Sequence, residues 1–259
     1  MNWTEVIVLS IVEGLTEYLP ISSTGHLIIT SAFFGISEQQ AVKSFNIIIQ
    51  LGAILAVLFM YSEKFKWNFE FYKRLLIAFL PAAVIGLIVK KNIDLILGST
   101  AVVATTLLLG GVFLLFIDKI FPEDKTKTKT INSLTLTSCI IIGLFQCLAF
   151  IPGVSRAAAT IIGAMAVGLN KKDSTEFSFF LAVPTLAGAS AVKSIEAFSQ
   201  FDMQFLNFCL VGMLISFVVA VLAIKFFINI LNQFGLKPFG YYRILIGGLL
   251  WALLWTGQI

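Results

Sequence analysis

Apolar runs of helical length follow one another along nearly the whole chain, and two of them are interrupted by polar residues near their middle. Residues 5–35 are apolar overall but carry Pro20 and Ser22-Ser23-Thr24 at their centre. Each half is only about 15 residues, short of the roughly 20 needed to span hydrocarbon. The pattern predicts a helix that enters, stops near the midplane and returns, which is tolerated only where protein or water covers the freed backbone. Residues 43–62, 72–92 and 100–121 read as three full spans, and Pro81 kinks the second or lies near its end. A polar, basic stretch from Pro122 to Asn132 follows, PEDKTKTKTIN. Residues 133–169 then repeat the broken pattern around IPGVSR, Ile151 to Arg156, and 175–196, 205–231 and 239–256 make three further spans.

The two halves, 1–121 and 133–259, also match residue for residue. A shift of 132 carries Pro20 onto Pro152, Ser23 onto Ser155 and Phe45 onto Phe177, and Gly110-Gly111 corresponds to Gly247-Gly248 with five residues inserted. Such self-similarity marks an internal repeat. If each broken hairpin returns to the side it entered, one half crosses three times and the second half is inverted. The expected fold is therefore an all-α polytopic membrane protein in a single domain, 1–259. It has six transmembrane helices plus two re-entrant broken-helix hairpins in an inverted-topology repeat. Lys64, Lys66, Lys73, Arg74, Lys119, Lys125, Lys127, Lys129, Lys171, Lys172, Lys225, Lys237 and Arg243 then fall on one side, against Lys43, Lys90, Lys91 and Lys193 on the other. That bias makes the first side, with the 122–132 linker, cytoplasmic and turns both termini outward.

Composition agrees. The chain is 58% hydrophobic and 12% charged, against roughly 45–50% and about 25% in soluble domains. Runs of this length disfavour a β-barrel. The net charge of +4 reflects loop charges and suggests no nucleic-acid partner. Cys139, Cys147 and Cys209 lie in apolar segments and read as packing. The N-terminal stretch lacks a basic region and a small-residue cleavage site, so no signal peptide is expected to be removed.

The polar residues concentrate in EGLTEYLPISSTGH, Glu13 to His26, which holds the chain's single histidine. Ionisable groups at this density in membrane sequence line a cavity and mark function. Glu13 and Glu17, four apart, share a helix face. Pro20 ends that half-helix, and Ser22, Ser23 and Thr24 open the next with side chains suited to N-capping. The free N–H groups of a helix start form an anion site. The second break adds Pro152, Gly153, Ser155, Arg156 and Thr160, and arginine's fork matches phosphate oxygens. Helix starts and an arginine ask for an anion, while paired carboxylates ask for a cation. A diphosphate with Mg²⁺ or Ca²⁺ answers both, and an intramembrane site suits an amphiphile such as a polyprenyl diphosphate. Blander readings stand beside these: the carboxylates as a solvated helix end, the hydroxyls bonded back to i−4 carbonyls, Gln50 and Gln146 as helix cross-links. Positions matching Glu13, Glu17 and His26 are Phe145, Ala149 and Ala158, and Thr24 matches Arg156. One reactive set on a doubled scaffold suggests a reaction centre.

The runs EGLTEYLPISSTGH and PGVSRAAATI resemble the two signature segments of the bacterial undecaprenyl-diphosphate phosphatase family, the bacitracin-resistance type, and FNIIIQLGAILAV and EFSFFLAVPTLAGA extend the likeness. The resemblance implies hydrolysis of undecaprenyl diphosphate to the monophosphate and phosphate, which recycles the carrier lipid for peptidoglycan synthesis. It implies a divalent-cation requirement, bacitracin competing for the substrate, a place in the bacterial cytoplasmic membrane and a site reached from the outer face. A homodimer is compatible with it. It also implies essential roles for Glu13, Glu17, Ser23, His26, Ser155 and Arg156, with Thr24 and Thr160 supporting. Relatives often read SRSG where this chain has Ser155-Arg156-Ala157-Ala158, which removes a hydroxyl and a glycine from that turn. The expected mechanism places the metal on Glu13 and Glu17 and the phosphoryl oxygens on Arg156 and the helix starts, with Ser22, Thr24 and Ser155 contributing. Ser23 attacks, or positions water, with His26 as base; direct attack by His26 is the alternative. Competing classes are a transporter or flippase of anionic polyprenyl lipids and a non-catalytic scaffold.

Overall fold

The structure, a computed structural model, describes residues 1–66, 68–96, 99–122, 129–196 and 202–256, with side chains for all of these except 90–96, 193 and 196. Its helices are α1 Trp3–Thr16, α2 Ser23–Phe33, α3 Gln40–Ile48, α4 Gln50–Met60, α5 Phe69–Ile96, α6 Thr100–Ile120, α7 Leu136–Gln146, α8 Arg156–Ala166, α9 Lys171–Glu196, α10 Met203–Phe234 and α11 Lys237–Trp255. No extended strand occurs among the described residues; an isolated bridge pairs Lys129 with Leu169. Most of the expected 122–132 linker, 123–128, lies outside them.

Among the described residues five stretches are long and apolar enough to cross a membrane: Gln40–Met60, Phe69–Val89, Thr100–Ile120, Lys171–Val192 and Met203–Phe234. They fall on five of the six expected spans. The sixth, 239–256, is helical as α11, but Tyr241, Tyr242 and Arg243 dilute the first half of that helix. Pro81 lies inside α5. The helix faces expose large apolar side chains such as Leu87, Ile88, Leu109 and Leu245, a pattern that needs an apolar surrounding rather than water.

Both chain breaks occur where polar residues interrupt the apolar pattern. α1 stops at Thr16 and α2 starts at Ser23; α7 stops at Gln146, continues as a 3-10 turn over Cys147–Phe150, and α8 starts at Arg156. Each second helix is capped by a serine at positive φ. Ser22 (φ 72°) accepts from the Gly25 N–H, and Ser155 (φ 76°) accepts from the Ala158 N–H. Non-glycine residues pay for this conformation, and it persists only where surroundings over-determine it. Removing the cap hydroxyl in Ser155→Ala is expected to cost about 1 kcal/mol. A detergent-solubilised variant that melts with the natural chain would refute that role.

The packing is paired. α1 lies on α10 while α7 lies on α5, and α6 runs along α11. Inside, Phe179, Phe180 and Phe227 join Tyr18, Tyr61, Phe65, Phe71 and Phe239 in mostly edge-to-face contacts, the favoured aromatic geometry. Through Tyr18 and Phe179 this cluster ties the first break to α9.

Candidate active site

The two breaks meet. A small cleft lies between them, lined by Glu17, Ser22, Ser23 and Thr24 from the first break. Pro152, Gly153, Ser155 and Arg156 line it from the second, and Gln50 closes it from α4.

Glu17 is the hub. Arg156 Nη2 donates to its Oε1 at 2.7 Å and Ser23 Oγ donates to its Oε2 at 2.5 Å. Both donors are the first residues of their helices, Ser23 of α2 and Arg156 of α8. The repeat register is therefore corrected here: Ser22 plays the part of Ser155 and Ser23 that of Arg156, one residue away from the expected pairing. The second break has one more residue between its proline and its cap, which offsets the two helix starts by one.

Arg156 is rigidly held. Its Nη1 donates to the Ser178 carbonyl at 3.0 Å, and its guanidinium lies 5.6 Å from the centre of the Tyr18 ring, close enough for cation–π attraction. Tyr18 is fully buried and donates to the Ala53 carbonyl at 2.8 Å. Arg156 Nε, by contrast, is buried with no acceptor. Glu13 is fully buried next to Glu17, and neither of its oxygens has a donor. The site thus contains one orphan donor and one orphan carboxyl. Each is costly unless something supplies its partner.

Three of the expected residues stand back from the cleft. Glu13 is one. Thr160 is fully buried, its hydroxyl bonded to the Arg156 carbonyl at 2.9 Å and to Ser178 Oγ at 2.6 Å, so it braces α8 on α9 rather than presenting a free hydroxyl. His26 does not meet Ser23. Its Nδ1 lies 2.7 Å from the Ser22 carbonyl and its Nε2 2.8 Å from Tyr242 Oη, with the two rings stacked. The expected pairing of His26 as base with Ser23 is corrected accordingly: the group on the Ser23 hydroxyl is Glu17. A histidine one turn into α2 points along the helix flank, and the carboxylate at the end of α1 reaches the hydroxyl first. Gln146 accepts from Thr185 Oγ1 at 3.1 Å and so cross-links helices. Cys139 and Cys209 are buried, and all three cysteines are free.

Arg243 is a further correction. The loop-charge reading places it on the cytoplasmic surface, yet it is 1% exposed and bonded only to backbone carbonyls. Leaving it out of the sequence count changes thirteen against four to twelve against four. Sequence reasoning missed Tyr18, Ser178 and Tyr242 as supports. Tyr18 could have been suspected from its place beside Glu17; a serine in an aromatic run and a tyrosine at a helix start carry no such signal.

Among the described residues no three His, Cys, Asp or Glu side chains cluster to hold a metal. The donor set at the breaks is instead a pair of carboxylates, hard oxygen ligands of the type that hold Mg²⁺ or Ca²⁺ together with substrate phosphates and water. The two free oxygens of Glu13 fit that role.

A family model described as "BacA: Bacitracin resistance protein BacA" matches residues 6–249. A protein of Bdellovibrio bacteriovorus named "Undecaprenyl-diphosphatase" is 47% identical over 258 residues, covering 100% of this chain and 98% of that protein. Proteins of the same name from Flavobacterium johnsoniae and Aquifex aeolicus are 46% and 44% identical, covering 95% of this chain in each case and 94% and 96% of theirs.

Proposed function

The chain belongs to the bacitracin resistance protein BacA family, and from that premise we propose that it is a membrane phosphatase hydrolysing undecaprenyl diphosphate to undecaprenyl phosphate and phosphate. It is a multi-pass membrane enzyme. The observation that carries the assignment is an unpaired Arg156 Nε on a residue that lines the cleft, together with an unpaired Glu13 carboxyl buried behind Glu17. A metal-bound diphosphate supplies an acceptor to the first and a cation to the second.

In this reading the diphosphate lies across the starts of α2 and α8, where helix-start N–H groups favour an anion, while Arg156 holds a phosphoryl oxygen. Ser22, Thr24 and Ser155 line the same cleft and contact the headgroup. Ser23 Oγ attacks the terminal phosphorus. Its proton passes to Glu17 Oε2, the Ser23–phosphorus bond forms, and the bond to the bridging oxygen breaks, so that undecaprenyl phosphate leaves. Glu17 passes that proton to the departing undecaprenyl phosphate oxygen, and water then attacks the phosphoserine, giving its proton to the restored Glu17 carboxylate, which returns it to Ser23 Oγ as phosphate leaves. His26, held by Ser22 and Tyr242, orients the cap turn from which Ser23 projects. Glu13 and Glu17 would hold a divalent cation, which would supply charge neutralisation to the phosphoryl group.

We place the protein in the bacterial cytoplasmic membrane with six spans, two re-entrant hairpins formed by α1–α2 and α7–α8, both termini outside and the cleft open to the outer face. The reciprocal packing of α1 on α10 and α7 on α5 supports the inverted repeat. Bacitracin competes because it sequesters the same diphosphate.

The test is phosphate release from a polyprenyl diphosphate by purified protein in detergent, where no second compartment exists and transport cannot imitate it. Release is expected to stop with chelator and to return with Mg²⁺ or Ca²⁺. Trapped phosphoenzyme should carry its label on Ser23. Metal-independent release would remove the cation from the mechanism, and a stable adduct on His26 would remove Ser23 as nucleophile.

A further inference from the structure

Arg243 of α11 reaches both breaks from behind. Its Nη1 donates to the Pro20 carbonyl at 3.1 Å in the first break and to the Val154 carbonyl at 3.0 Å in the second. Its Nη2 donates to the Gly153 and Thr106 carbonyls, each at 2.9 Å, and its Nε to the Leu107 carbonyl at 3.5 Å. These bonds use all five N–H donors of a guanidinium. No carboxylate pairs with it among the described residues. Its charge therefore stays uncompensated just behind the turns that open α2 and α8.

Thr106 of α6 makes the matching bond. Its Oγ1 donates to the Pro152 carbonyl at 2.6 Å. The glycine pairs Gly110-Gly111 and Gly247-Gly248 correspond with an offset of 137, which carries Thr106 onto Arg243, just as an offset of 132 carries Pro20 onto Pro152. Each half thus holds the break-proline carbonyl of the other half. The two donors are unequal. A hydroxyl ties one carbonyl, whereas the planar fork of Arg243 also crosses to the opposite break and fixes the distance between them. Gly110 leaves room for this: a Cβ there would run into the Arg243 guanidinium. The neighbouring Tyr242 meets His26, so α11 also supports α2 directly.

We propose that Arg243 is a positioning residue for the hydrolysis, setting the separation of the two helix starts that receive the diphosphate and adding positive potential behind them. The proposal rests on the phosphatase reading above. It does not touch substrate; its effect passes through the carbonyls of Pro20, Gly153 and Val154, which orient the cap turns at Ser22 and Ser155.

The experiment compares Arg243→Lys, Gly110→Ala and Thr106→Val with the natural chain in detergent, measuring phosphate release from a polyprenyl diphosphate and its inhibition by inorganic pyrophosphate. Values are scaled to the folded, monodisperse fraction. An ammonium cannot span both breaks, so Arg243→Lys is expected to lose about 10–100-fold in kcat/KM, in line with the cost of a small displacement of a reacting group. KM and the inhibition constant for pyrophosphate should rise together. Gly110→Ala, which displaces the guanidinium without removing it, should move both constants in the same direction. Thr106→Val gives up one hydrogen bond and should lose about three- to tenfold. A merely structural role would lower the folded fraction and leave KM and pyrophosphate inhibition per folded molecule unchanged, and that result overturns the proposal. If Arg243→Lys does not fold, the other two variants decide by the same criterion. A natural chain that releases no phosphate would sink the phosphatase reading itself, and this inference with it.

Discussion

Arg156→Ala is expected to lower phosphate release at least about 10²–10³-fold, the range for removing one preorganised donor to a developing oxyanion. The side chain is 10% exposed and fixed by Glu17, by the Ser178 carbonyl and by the Tyr18 ring. It arrives at the reaction with no reorganisation left to do. Arg156→Lys should restore little, because an ammonium is a point charge that cannot hold Glu17 and Ser178 while presenting a further donor to phosphate. The measurement is kcat/KM for all three proteins at equal folded concentration. A lysine variant within a few-fold of the natural chain would mean that charge alone matters and that the fork geometry does not.

Glu17→Gln should be nearly as damaging, by about 10²–10⁴-fold, because the Ser23 hydroxyl loses its proton acceptor. The amide keeps the volume and can still bond Ser23 and Arg156, so the protein should fold. Glu17→Ala differs in kind. It leaves the Arg156 guanidinium with neither counter-charge nor acceptor at that position and Ser23 without its partner, and removing one member of a buried pair costs about 3–5 kcal/mol. Thermal melting separates the two: the glutamine variant should melt near the natural chain and the alanine variant well below it, with both inactive. Activity of the glutamine variant within tenfold of the natural chain would exclude Glu17 as the base.

The helices were legible because a membrane segment must satisfy its backbone internally, so apolar length translates directly into helix. Five spans came out near their expected ends for that reason. The breaks were legible too, since Pro20, Pro152 and the adjoining serines interrupt apolar sequence that has no other reason to tolerate them. Glu17, Ser23 and Arg156 were named from the same logic, and the structure brings them together. Side-chain aim was harder to see. His26 shares a motif with Ser23, but bonding was decided by helix phase and by a tyrosine 216 residues away.

Arg243 shows the limit most clearly. In a sequence it is one basic residue near a helix start, indistinguishable from Lys237, and positive-inside counting places both in the loop. Only the packing of α6 along α11, with Gly110 opening the crossing point, carries it to the carbonyls of both breaks.

The chain's own order of residues determines that apolar helices suit a membrane, that two apolar stretches are broken, and that carboxylates, hydroxyls and one arginine gather at the breaks. These follow from local backbone chemistry and hydropathy, which act over a few residues. Tertiary structure alone decides that the breaks face each other, that Glu17 takes both Ser23 and Arg156, and that Arg243 is a buried clamp. Those outcomes depend on how helices far apart in the chain pack, and a hydrogen bond across 139 residues leaves no trace in the spacing of either partner.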